Sequence, residues 1–223
     1  MERLLLVGAG GFGRETAEAV RAVNACRRTW NLLGFLDDGP GLAGKEVDGT
    51  RVLGPTEAVA DFPDACVIVT TGSPRDYFSR KRLVKRLEVA SERFATLVHP
   101  HAVLPASARL GPGTVLLAGV VVTSGISIGS HVAVMPGAVL THDNTVGDFA
   151  TVASGVRFGG GVQVGTGAYV GAGALIREGL SIGDWALVGM GSVVLRSVPP
   201  SEVWAGAPAR YLRRVVVPED IAA

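Results

Sequence analysis

From Leu104 onward every sixth residue is apolar: Leu104, Leu110, Leu116, Val122, Ile128, Val134, Leu140, Val146, Val152, Phe158, Val164, Val170, Ile176, Ile182, Val188 and Val194. The residue two places before each of these sixteen is small or apolar, with Asn144 as the exception. The residue after is glycine in eight of the sixteen cases, and Gly111, Gly129, Gly147, Gly165 and Gly183 fall 18 apart. An amphipathic helix repeats every 3.6 residues and a simple strand every 2, so a period of six is neither. It is a short strand plus a turn. Three such units close a triangular coil in which every sixth side chain points into the prism and successive coils stack by parallel backbone hydrogen bonds. Glycine supplies the positive φ that the corners ask for. The pattern predicts a parallel β-helix over residues 102–197, uninterrupted by loops and followed by a C-terminal tail, 198–223.

Residues 1–98 have a different pattern. Arg3–Val7 is a short apolar strand, followed by a glycine-rich turn and a helix from Arg14 to about Arg27 with Ala17, Val20 and Val23 on one face. Leu32–Leu36 is a second strand, Val47–Leu53 an edge strand, Pro55–Asp61 a short helix and Cys66–Thr71 a buried strand. Pro74–Ala90 is a basic amphipathic helix and Phe94–Val98 a last strand. Alternating strands and helices predict a small, Rossmann-like doubly wound sheet. The fold class is therefore α/β followed by an all-β solenoid.

Composition narrows the partners. Hydrophobic residues make up 48% and charged residues 18%, which suits a globular chain. A net charge of +1 gives no reason to expect nucleic acid or a membrane surface. Cys26 and Cys66 form no disulfide or metal pattern, consistent with reduced core thiols in the cytoplasm. No signal peptide or membrane-spanning run is visible.

Gly8, Gly10 and Gly13 match G-x-G-x-x-G between a strand and a helix, where backbone N–H groups can hold a phosphate. Asp37 lies 24 residues past Gly13, placed to accept from a ribose or base. A nicotinamide dehydrogenase would need two full mononucleotide halves and a catalytic domain, and this chain offers neither. A nucleotide-linked substrate fits better; a tight turn that binds nothing is the plain alternative.

In the solenoid, Thr141-His142-Asp143-Asn144 is a polar run where the repeat should be bland, and such local violations tend to mark function. Histidine can take a proton near neutral pH, and the Asp143 carboxylate can stabilise its imidazolium. One coil beyond His142 is Gly160, whose N–H could face a developing oxyanion. A solvated corner histidine remains the alternative. His131 is read as structural or solvated.

The chain resembles the NeuD/PglD family of acyl-CoA-dependent sugar acyltransferases. The resemblance rests on Gly-Ala-Gly-Gly-Phe-Gly-Arg-Glu at 8–15, Phe35-Leu36-Asp37-Asp38, the strand ending at Gly72, and His99-Pro100 entering the repeats. It continues in His142-Asp143 and in Gly206-Ala207-Pro208-Ala209-Arg210 after the repeats. The resemblance implies a left-handed β-helix, a homotrimer with acetyl-CoA between adjacent prisms, and no metal. It implies His142 as general base, Asp143 as its tuner and an oxyanion contact near Gly160. Acetyl-CoA contacts would fall at Thr151, Ala172 and Met190, and nucleotide contacts at Gly10, Gly11, Phe12, Asp37, Asp38 and Gly72. The implied activity is direct acyl transfer to an amine or hydroxyl of a sugar, most simply a nucleotide-linked one. A non-nucleotide acceptor and a non-catalytic trimeric scaffold are the alternatives.

The chain departs from the family at Phe12, Thr141 and Asn144, and at Met135 and Thr151, where acceptor and donor would meet. A γ-type carbonic anhydrase would need three zinc-binding histidines, and the repeats hold two.

Overall fold

The computed structural model describes residues 1–222. In the N-terminal domain, β1 (Glu2–Val7), β2 (Trp30–Leu36), β3 (Glu46–Val47), β4 (Thr50–Gly54) and β5 (Cys66–Val69) form one sheet in the order β3-β4-β2-β1-β5. Central β1 pairs in parallel with β2 and β5. Its unbroken apolar run suits a strand covered on both faces. Leu4 and Leu6 pack with Ala17 and Val20 of α1 (Gly11–Cys26), whereas Leu5 and Val7 pack with Leu83 of α2 (Ser79–Leu87).

Three elements differ from the sequence pattern, each for a local reason. The segment read as one edge strand is a β3–β4 hairpin, turned at Asp48-Gly49 with φ of +45° and +72°; Asp-Gly between apolar residues is a strong hairpin signal. α2 begins at Ser79, because Ser73-Pro74-Arg75-Asp76 closes a turn through Asp76 N–H to Ser73 O at 3.0 Å. Phe94–Val98 is shared between two sheets: Phe94 bridges Val67 of β5, while Leu97–Val98 pairs with Val115–Leu116 of the solenoid.

The solenoid is a left-handed parallel β-helix made of two-residue strands, each paired with the strand 18 residues away, as in Ser127↔Thr145 and Tyr169↔Leu187. Fourteen of the sixteen repeat positions are buried; Leu104 and Leu110, in the first coil, are partly covered. The prism has three faces. A polar face presents Arg109, Ser127, Thr145, Gln163 and Ser181. An open face carries Val121, Val139, Arg157, Leu175 and Val193. The third, eight-stranded face is covered by the N-terminal domain and is extended by the antiparallel hairpin Glu202–Gly206 and Ala209–Arg214.

A corner column of rings holds the domains together. Phe149 stacks on His131 at 5.0 Å, with Phe94 edge-on to His131 at 4.5 Å. Further along, Phe78 lies 5.0 Å from Trp185, and the Tyr77 hydroxyl donates to Trp185 O at 3.0 Å. The C-terminal helix Glu219–Ala222 returns to α2, where Lys81 donates to Ile221 O at 2.7 Å and Arg82 meets Asp220 at 3.2 Å. Both contacts fasten α2 above the covered face.

Candidate functional site

The glycine loop connects β1 to α1 without spare volume. A Cβ on Gly13 would lie 2.0 Å from Gly8 O, so only glycine lets the helix start this close to the strand. Gly10, Gly11, Phe12, Asp37 and Gly72, expected around a nucleotide, line one cavity of about 330 Å³ together with Thr71 and Asp76. Asp37 is partly used in shaping it: its carboxylate accepts from Ala9 N–H and Gly39 N–H, both at 2.7 Å. Asp38 stands outside this wall. It accepts from Thr56 N–H at 2.8 Å and pairs with Arg86 at 2.6 Å. Burial works to raise its pKa, but those partners outweigh it and hold the carboxyl below its ordinary range.

His142 and Asp143 occupy the corner between the open and polar faces. Nδ1 of His142 lies 2.9 Å from Asp143 Oδ2, with 66% and 72% of the two side chains exposed. With Nδ1–H donated to the carboxylate, Nε2 is left with its lone pair as an acceptor. The imidazole lies over Gly160: a Cβ there would come within 2.4 Å of Nε2. Asp143 has φ of +61° in a corner column whose other members are Gly125, Gly161 and Gly179. A non-glycine residue in that conformation is mildly strained. The glycine column makes this departure visible in sequence, a signal beyond the polar run itself.

Asn144 turns inward rather than toward His142. It is fully buried and donates from Nδ2 to Gly159 O at 2.8 Å. Thr114 and Ser192 are buried polar residues at the equivalent repeat position, so the polar break at Asn144 is part of the prism's internal bonding.

The remaining expected contacts lie elsewhere on the prism. Ala172 and Met190 stack one coil apart on the corner between the covered and open faces, with Met190 79% exposed. The open face separates them from His142, and on it Leu175, Leu195, Arg157 and Arg177 line an apolar groove of about 340 Å³. Thr151 is set back under the N-terminal domain, where its hydroxyl accepts a hydrogen bond from Arg80.

Arg80 escaped the sequence reading. It is the largest fully buried side chain among the described residues. Its guanidinium lies 5.7 Å from the Phe12 ring centroid and bonds Thr151, bridging the glycine loop and the solenoid. The signal was its place three before Leu83, on the buried stripe of α2. Among the described residues, no group of three or more His, Cys, Asp or Glu is placed to hold a metal, and no helix is long and apolar enough to cross a membrane.

Comparison with known proteins adds to this geometry. Residues 3–87 match the PglD N-terminal domain model. The UDP-N-acetylbacillosamine N-acetyltransferase of Bacillus subtilis is 35% identical over 124 residues; the match takes in 53% of this chain, and the chain spans about half (52%) of that relative's length. The acetyltransferase domain of PglB from Neisseria gonorrhoeae, solved with acetyl coenzyme A, superposes with a TM-score of 0.85 at 27% identity, over 95% of this chain and 99% of that one. PerB from Caulobacter crescentus, solved with CoA and GDP-perosamine, gives a TM-score of 0.82 at 28% identity, over 96% and 98%. The N-terminal match, the partial sequence likeness and a fold shared along nearly the whole length make the chain similar to PglD-type sugar acetyltransferases.

Proposed function

We propose that this protein is an acetyl-CoA-dependent N-acyltransferase whose acceptor is an amine on a nucleotide-linked sugar. The observation that carries this reading is the exposed His142–Asp143 pair held over Gly160. The glycine-loop cavity has the volume and the exposed backbone for a nucleoside diphosphate. The open-face groove offers Leu175 and Leu195 to a pantetheine arm and Arg157 and Arg177 to phosphates. Relatives that share the fold were solved with acetyl-CoA, or with CoA and a nucleotide sugar.

In the mechanism, the neutral acceptor amine attacks the thioester carbonyl as His142 Nε2 takes its proton. Asp143 fixes the Nδ1–H tautomer and stabilises the imidazolium that results. The carbonyl oxygen gains negative charge, which the Gly160 N–H stabilises in this reading. Collapse expels the CoA sulfur, which takes the proton back from His142. The amide and the free thiol are the products, and no acyl-enzyme forms.

Because Ala172 and Met190 sit across the open face from His142, one chain holds only part of the donor site. A homotrimer, with the open face of one prism against the corner of the next, brings the parts together and covers Leu175, Leu195 and Met190. The test is thiol release from acetyl-CoA against a panel of UDP-, GDP- and dTDP-linked amino sugars. At least one acceptor should release CoA faster than water does; release with none of them would sink the nucleotide-sugar reading.

A further inference from the structure

The basic residues of α2 have different fates. Arg82 pairs with Asp76 and Asp220, each at 3.2 Å, and Arg86 pairs with Asp38 at 2.6 Å. Arg80 is 1% exposed, and no carboxylate lies within ion-pair distance of it among the described residues. Nη2 donates to Thr151, while Nε has no hydrogen-bond partner. Burial pushes its pKa down to about 10, which still leaves it charged at neutral pH.

A buried cation without a counter-charge is expensive to keep, and an apolar side chain of the same size is often the more stable choice. Arg80's position suggests what it is kept for. Its guanidinium faces the Phe12 ring at 5.7 Å, and Nη2 occupies the side-chain side of Gly72, 3.3 Å from where a Cβ would lie. Phe12 and Gly72 are both walls of the glycine-loop cavity. Thr71 Oγ1, buried in the same wall, also lacks a partner. The two carboxylates lining the cavity are locally compensated: Asp37 by two backbone N–H groups, Asp76 by Arg82. Arg80, directly behind that wall, is left without a counter-charge.

We propose, resting on the nucleotide-sugar reading above, that Arg80 is the counter-charge for the diphosphate of the ligand bound in the glycine-loop cavity. It acts from behind the Phe12–Gly72 wall, through a medium too dry to screen it. The loop N–H groups make the direct contacts, and Arg80 supplies the field that favours two phosphates over a neutral nucleoside.

This role separates from a structural one. If Arg80 were only a tie to Thr151, removing it would loosen the domain junction and weaken every ligand alike. As a counter-charge, its removal should weaken phosphate-bearing ligands selectively and leave the unliganded protein no less stable. Calorimetric binding of inorganic pyrophosphate, of UDP, GDP and dTDP, and of uridine, guanosine and thymidine, to the full-length protein and to Arg80→Met tests this. Arg80→Met should weaken pyrophosphate and the bound diphosphate by about 10-fold or more, leave the matching nucleoside unchanged, and melt no lower than the parent without ligand. Arg80→Lys, which keeps the charge, should stay within about 5-fold of the parent for pyrophosphate. Equal loss for nucleoside and diphosphate, or Arg80→Lys as weak as Arg80→Met, overturns the proposal. If the parent binds neither pyrophosphate nor any of the three diphosphates, the nucleotide reading of the cavity falls and this inference with it. If the parent binds them and Arg80→Met binds them equally well, this inference alone fails.

Discussion

His142 and Asp143 are positioned by backbone rather than by packing. Asp143 takes a left-handed conformation in a glycine column, and His142 lies on the bare Cα of Gly160. That arrangement predicts a specific sensitivity. Gly160→Ala would drive a methyl into the imidazole and swing Nε2 away, so turnover should fall by about 100-fold while the melting temperature changes little; steady-state kinetics beside a thermal melt checks both. His131 should govern the response to acid instead. Burial, and then the Arg80 charge, push its pKa down to about 4. The unfolded state therefore binds the proton more readily, and stability present above pH 6.5 is lost as pH falls toward 4, by about 3 kcal/mol at most. Denaturant titrations at pH 7 and pH 4.5 should show this loss in the parent and a flatter profile in His131→Phe.

Elements were legible wherever one periodicity held. The sixteen repeat positions outlined the prism because each interior side chain meets the same environment 18 residues later. Elements were misread where two environments meet within a few residues. Phe94–Val98 looks like one strand but serves two sheets. Tyr77 and Phe78 look like the first turn of a helix, yet they are drawn onto Trp185 before α2 begins. Arg80 was hidden for a related reason: a basic helix reads as solvated, and one arginine of the set faces inward. The prism's own stability should follow its layers. Leu116, fully buried among Val134, Val152 and their neighbours, should cost about 2–5 kcal/mol when cut to alanine, measured by chemical denaturation.

At the scale of the whole molecule, the covered face is complete and the open face is not. The N-terminal domain and the C-terminal hairpin occupy one side of the prism. Leu175 and Leu195, 45% and 42% exposed, stand on the open side beside two arginines. Light scattering should give the mass of three chains, and Leu175→Glu with Leu195→Glu should yield monomers that have lost acetyl-CoA affinity. A parent that is monomeric at assay concentration would remove the shared donor site. Sequence could indicate the corner that carries His142 and Asp143, but not which face a partner covers, because the open and polar faces follow the same repeat.

The most direct test of the account is thiol release from acetyl-CoA by His142→Ala, using the best acceptor of the nucleotide-sugar panel. General-base catalysis by His142 predicts a fall in kcat of about 10²–10⁴-fold, with the oligomer and the acetyl-CoA affinity unchanged. Near-normal turnover in that variant would contradict the mechanism and leave the prism as a scaffold.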